Sequence, residues 1–238
     1  MPTTIQLGDI AVDVVKKDIK NVHLSVYPPA GKVRLSAPLR MELDNIRLFA
    51  ISKLSWIRQQ QRKLTAQERE TPREYIDRES HYLWGRRYLL KVIERHAAPH
   101  VQVKHRHIVL SIRPGTTAAG REAFLDRWYR MQLKEAVPAV IAKWEPLMLV
   151  KVERVFVQGM KTKWGSCSRT SASIRLNTEL AKKPLECLEY IVIHEMAHLL
   201  EPTHNERFIA LMDLFIPNWR FLQAKLNRLP VRHESWRY

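Results

Sequence analysis

Apolar and polar positions change period several times along this chain, and the changes mark its elements. Early on they alternate: Val22, Leu24 and Val26 are separated by His23 and Ser25, and Val33 and Leu35 by Arg34. Side chains two apart share one face of a strand, so residues 5–36 read as strands. The last two of these form a hairpin with one buried face, turning at Pro28-Pro29-Ala30-Gly31. After Pro38 the period lengthens. Ile46, Phe49, Ala50, Leu54 and Ile57 recur at three and four residues, which predicts one amphipathic helix over 42–63. Its basic end, Arg58 to Lys63, reads as a solvated last turn whose cations suit the helix dipole.

Thr65 to Glu79 is polar and charged and reads as a linker. Strand patterns return at 82–94, 101–103 and 107–112, the last closing at the turn Arg113-Pro114-Gly115. His105 and His107 would share a face if that strand began early, but with Lys104 and Arg106 beside them and no third ligand they read as an exposed basic strand. Phe124, Trp128, Leu133, Val137, Ile141 and Trp144 predict a second long helix over 120–144, which Pro138 should kink or split. Short strands follow at 152–157, 163–168 and 173–177, with a turn at Arg169-Thr170-Ser171. A helix begins at Leu185, and a last one occupies 218–229 after Pro217. The order of elements is α+β: a β-rich part with a long helix over 1–117, then a mixed core over 118–238, the two allowing one continuous domain.

Composition narrows the class. The chain has 238 residues, 45% of them hydrophobic, enough to bury a core and too many for a disordered protein. No stretch is long enough to span a membrane, and Met1 to Val15 lacks a basic end followed by an apolar run, so a cytoplasmic protein without a membrane partner is expected. Two cysteines, Cys167 and Cys187, are too few for a disulfide framework. The net charge of +16, spread along the whole chain, points to an anionic partner such as DNA or a nucleotide.

Candidate chemistry is concentrated in His194-Glu195-Met196-Ala197-His198, followed by His204. One helical turn separates the first two histidines, which places both imidazoles on one face, as two ligands of a zinc ion. Glu195 stands beside them as a general base rather than a ligand. Ile191, Val192 and Ile193 just upstream mark a buried helix, where histidines need partners, and Pro202 ends it. In longer versions of this motif a glycine turns the chain so that a third histidine returns to the metal. Here Glu201 holds the glycine position, but the spacing to His204 is the same. The spacing favours His204 as third ligand over the downstream carboxylates Glu206 and Asp213.

Lys161-Thr162-Lys163-Trp164-Gly165-Ser166-Cys167-Ser168, Ile174-Arg175-Leu176-Asn177, Tyr190 to Glu195 and His204-Asn205-Glu206-Arg207-Phe208 together resemble the YgjP-like metallopeptidase family, which is similar to the SprT-like zinc proteases. Trp84-Gly85 and Ser55-Trp56-Ile57 also fall at family positions, so the resemblance covers residues 20–229. It implies a minimal zincin-like core, a small sheet packed on the His-Glu-x-x-His helix. It also implies His194, His198 and His204 as zinc ligands and Glu195 as catalytic base. Met196 stands where leucine is more usual, a conservative change.

The expected activity is therefore zinc-dependent hydrolysis of peptide bonds, with one Zn²⁺ per chain and a peptide or protein substrate. Lys163, Trp164, Gly165 and Ser166 are the candidate substrate contacts, Gly165 by allowing close backbone approach. Trp164 is equally well explained by core packing, and Cys167 reads as a small buried residue rather than a nucleophile. The same machinery could attack phosphorus, so a metal-dependent nucleotide phosphohydrolase of pyrophosphatase type is the alternative. A nucleic-acid-binding protein with structural zinc is the second, though a closed site has no need of Glu195 and no fourth ligand is evident.

Overall fold

The computed structural model describes residues 3–27, 31–66, 73–160 and 163–230. The early alternation becomes β1 (Thr3–Leu7), β2 (Ile10–Lys17), β3 (His23–Tyr27) and β4 (Lys32–Pro38), one sheet in the order β1-β2-β4-β3. β3 and β4 pair antiparallel, with Leu24 opposite Leu35 and Val26 opposite Val33, as the hairpin pattern requires. Of its turn, Pro28-Pro29-Ala30 lies outside the described residues. β2 runs parallel to β4 and sets Val12 beside Val33 and Val14 beside Leu35, all buried. Each such side chain contributes about 1.5–3 kcal/mol when fully removed from water.

The single helix expected over 42–63 is two, α1 (Leu43–Ser52) and α2 (Leu54–Ala66). Ser52 is the cause. Its hydroxyl donates to the Phe49 carbonyl at 2.7 Å, the acceptor a continuous helix would offer to the Lys53 N–H, which bonds Ala50 instead. The apolar stripe survives the break, since Ile46, Ala50 and Ile57 are fully buried with the sheet residues.

The described residues up to Ala66 form one compact unit and those from Arg73 onward another. The division falls in the polar stretch 65–79, ahead of the 117/118 boundary expected from sequence. The reason is packing: Leu83, Leu90, Ile108 and Leu110 share one core with the helices that follow.

The second unit opens with β5 (Ser80–Leu83), β6 (Arg86–Glu94), β7 (His100–Lys104) and β8 (His107–Ile112), in the order β5-β6-β8-β7. Where one strand was expected over 82–94 there is a hairpin. Trp84 (φ 51°) and Gly85 (φ 76°) form its two-residue turn, a left-handed pair that matches strand twist. A Cβ on Gly85 would come within 2.8 Å of Pro184, because the turn lies against the start of a later helix. His105 sits in the β7–β8 turn at φ 50°, so it does not share a strand face with His107.

α3 (Ala118–Met148) is one helix of 31 residues, about 46 Å long, and Pro138 does not split it. Proline removes one internal hydrogen bond, but Leu133, Val137 and Ile141 on either side of it are buried and hold both halves in the same core. β9 (Arg154–Gln158), β10 (Gly165–Ser168) and β11 (Ser173–Asn177) form a small sheet in the order β10-β11-β9, which leaves one edge of β10 unpaired within it. A 3-10 turn (Thr178–Lys182) leads into α4 (Leu185–Leu200), then α5 (Glu206–Phe215) and α6 (Trp219–Arg228). α4 packs on β10 and β11, so the expected α+β core of a small sheet on the motif helix is present. No described helix is long and apolar enough to cross a membrane.

Candidate metal centre

α4 is buried on nearly every side: Cys187, Leu188, Tyr190, Ile191, Val192, Ile193, Met196 and Ala197 are all in the core. A helix so enclosed has a fixed rotation, and among its partly exposed residues His194 and His198 line a cleft. Their rings lie 4.9 Å apart, centre to centre. His204 joins them at 5.1 Å and 4.7 Å. One nitrogen from each of the three falls within 4.8 Å of the other two.

Glu201 returns the chain without glycine. It ends α4 in extended backbone (φ −131°, ψ 113°), a conformation any residue adopts. Its carboxylate then accepts from the Thr203 N–H at 3.3 Å and the Thr203 hydroxyl at 3.1 Å, tightening the return. Its carbonyl accepts from His198 Nδ1 at 3.0 Å. That bond places the proton on Nδ1 and leaves Nε2 with a free lone pair, the arrangement of a metal-ligating histidine. Asn205 follows at once as the cap of α5, its side chain accepting from the Phe208 N–H at 3.0 Å. Phe208, 2% exposed, touches all three imidazoles, stacked on His198 at 4.6 Å and edge-on to His194 and His204 at 5.0 and 4.7 Å. It forms an apolar floor that fixes the ring planes.

The donor set fits a zinc ion. His194 Nε2 and His204 Nε2 are 3.1 Å apart. Two imidazole lone pairs at that distance repel unless a proton or a cation lies between them. Two nitrogens on a tetrahedral zinc stand about 3.3 Å apart, from bond lengths of about 2.05 Å. Burial, then the neighbouring His198 and His204, holds His194 down to about 3, and burial also lowers His204, so both offer neutral nitrogens at physiological pH. Asp213 is engaged elsewhere, by Arg220 and by Trp219 Nε1 at 2.8 Å, and neither it nor Glu206 belongs to the cluster.

Glu195 lines the same cleft as the histidines. It is 4% exposed, and its Oε2 has no hydrogen-bond partner among the described residues. Burial raises its carboxyl to about 7, against a smaller downward pull from Lys163. A carboxyl poised there can both take and release a proton near neutrality.

The cleft measures about 800 Å³. β10 and its flanks, Lys163 to Thr170, form one side; Tyr190 and Ile191 of α4 and Gln223, Leu226 and Asn227 of α6 also line it. All four sequence candidates for substrate contact, Lys163, Trp164, Gly165 and Ser166, are therefore at the cleft. Trp164 also packs against the core. Cys167 lines the cleft half-buried, and burial and the Glu195 carboxylate push its thiol to about 11, too high for a nucleophilic thiolate at neutral pH. Sequence reasoning gave no role at the cleft to Phe208, Arg169 or the α6 residues. For Phe208 a signal existed: Asn205 followed by Glu206 is a helix-start pattern, which would have brought position 208 one turn back toward His204.

A small sheet on a helix that carries two histidines and a glutamate, with a third histidine just beyond, is the framework of a zinc-type metallopeptidase. A model of the YgjP-like metallopeptidase domain matches residues 20–229, and the chain belongs to that family. Among solved structures, the metallopeptidase zymogen of Pyrococcus abyssi abylysin is 22% identical, with 40% of this chain and 99% of that chain covered at a TM-score of 0.36. The zymogen of Methanocaldococcus jannaschii jannalysin is 21% identical, with 40% and 92% covered at 0.33. No curated protein matches the chain.

Proposed function

We propose that this metallopeptidase hydrolyses peptide bonds with one zinc ion held by His194, His198 and His204, and with Glu195 as the general base. The observation that carries the reading is the convergence of three imidazole nitrogens within 4.8 Å at a cleft that also contains a buried carboxylate. When bound, zinc supplies Lewis-acid chemistry, polarising a carbonyl and acidifying water. Glu195 takes the proton of the attacking water on its unpartnered Oε2 and passes it to the leaving amine, so the same carboxyl serves both halves of the reaction. Phe208 and the Glu201 carbonyl keep the imidazoles oriented while this happens.

The unpaired edge of β10 suits an extended peptide, whose main chain can continue the sheet beside the cleft. Trp164 and Ser166 would contact its side chains, and Lys163 would favour acidic ones. The test is hydrolysis of a peptide mixture and of a nucleotide panel by zinc-loaded protein, with a chelated control. Peptide products that vanish on chelation support the reading, and turnover confined to nucleotides contradicts it. The net charge of +16 supports a polyanion partner as well. DNA binding that weakens linearly on a log–log plot against salt is the expected signature.

A further inference from the structure

The wall of the cleft opposite Glu195 is a glycine. A methyl group at Gly165 would lie 2.5 Å from Glu195 Oε1, 2.8 Å from Cγ and 2.9 Å from Cδ. All three are closer than a Cβ approaches non-bonded carbon or oxygen atoms, so any other residue there must displace something. Gly165 lies in β10 with φ outside the left-handed region, so its conformation is open to any residue. The requirement is for space alone.

Three observations decide what would move. Gly165 is paired with Leu176 in the sheet, and the chain just before it is pinned by Asn177, whose N–H donates to the Trp164 carbonyl at 2.9 Å. The Asn177 side chain donates to the Lys163 and Met160 carbonyls at 2.9 and 2.8 Å and is itself buried. The strand therefore cannot retreat. On the other side, the α4 backbone is fixed by its enclosing core. Only the Glu195 side chain can yield, and it can yield only by swinging its carboxylate out of the place it now occupies.

We propose that Gly165 is a positioning residue for Glu195: the missing side chain in β10 defines where the carboxylate stands in the cleft. The inference rests on Glu195 acting as the base. It gives Gly165 a task within the enzyme in addition to, and independent of, letting a substrate backbone approach. A misplacement on the order of 1 Å at a reacting group costs about 100-fold in rate, and that is the loss expected here.

The test is Gly165→Ala in zinc-loaded protein, with kcat, KM, zinc content and Tm measured together. The expected result is a fall in kcat of about 100-fold, with zinc stoichiometry and Tm near wild type. The decisive control is the same substitution in the Glu195→Gln background, where the amide has nearly the same size but cannot accept the proton. There Gly165→Ala should lower the residual kcat no further, because the group it displaces no longer does chemistry. A crystal structure of metal-free Gly165→Ala adds a readout independent of activity and should show the Glu195 carboxylate displaced with β10 in place. An unmoved carboxylate, an unchanged kcat, an equal loss in both backgrounds, or lowered Tm and lost zinc would each overturn the proposal, the last by making the glycine purely structural. Full hydrolysis by Glu195→Gln alone would instead refute the base assignment.

Discussion

Among the described residues, the N-terminal unit buries Ile, Leu, Val and Ala from β1–β4, α1 and α2 and no polar side chain. The C-terminal unit buries His81, Ser111, Ser173, Asn177, Thr178, Lys182, Lys183 and Glu195 within or beside its core. Burying a polar group costs stability unless it is paired, so each of these needs a reason. Most have a structural one: Asn177 ties β11 to the chain before β10, and Lys182 reaches Glu179 at 2.8 Å. Thr178 Oγ1, Glu195 Oε2 and His194 Nδ1 are buried without such a bond among the described residues, and the last two belong to residues that line the cleft. The difference between the units teaches where to look for chemistry. One unit is explained by hydrophobic burial, and the other carries at its cleft an energetic cost that packing does not explain but catalysis would.

The largest effect that tests this contrast is at His204. His204→Ala should weaken zinc binding by more than about 100-fold, beyond the loss typical of a residue that only orients a ligand, whereas Glu206→Ala and Asp213→Ala leave it near wild type. Metal analysis after dialysis against a graded chelator reads this. Next, Leu35→Ala in the N-terminal core should cost about 2–5 kcal/mol in denaturant unfolding, since Leu35 is fully buried. Zinc affinity of the folded variant should not change, because that core holds no part of the site. A smaller effect is expected of Asn205→Ala, which removes the cap of α5 for about 1 kcal/mol. It should also loosen Phe208 beneath the imidazoles, giving a measurable fall in zinc affinity by calorimetry.

The smallest effect concerns pH. The Val152 N–H, and then Lys151, hold the Glu145 carboxyl below its ordinary value. A carboxyl depressed in the folded state stabilises fully above its unfolded pKa and loses that contribution as pH falls through the folded value. Glu145→Gln should therefore lower stability at pH 7 and make little difference near pH 2, as read by thermal unfolding at both.

How far the chain could be read in advance differs between its parts for physical reasons. The strands of β1–β4 and the course of α4 were legible because their side-chain periods persist over several residues. So was the gathering of His194, His198 and His204, because helix geometry and the six-residue spacing set it locally. The break between α1 and α2 was not, since it depends on one hydroxyl, Ser52, competing for one carbonyl. Of the two outcomes expected at Pro138, the split does not occur, because burial of the residues around it outweighs the bond it removes. The turn at Trp84-Gly85 was hidden by apolar residues on both sides of it. Gly165 was read as a place for substrate backbone, while its nearest constraint is Glu195, thirty residues away in sequence and invisible to any local pattern.

The central claim is that Glu195 does the proton transfer at a site whose histidines hold the metal, and one substitution separates the two roles. Glu195→Gln keeps the shape of the side chain and removes its ability to accept a proton. The measurement is zinc content and peptide hydrolysis of that variant beside wild type, on a substrate that the wild type turns over. The account predicts full zinc stoichiometry with kcat lowered by about 100-fold to 10,000-fold. Full zinc with wild-type turnover would contradict it.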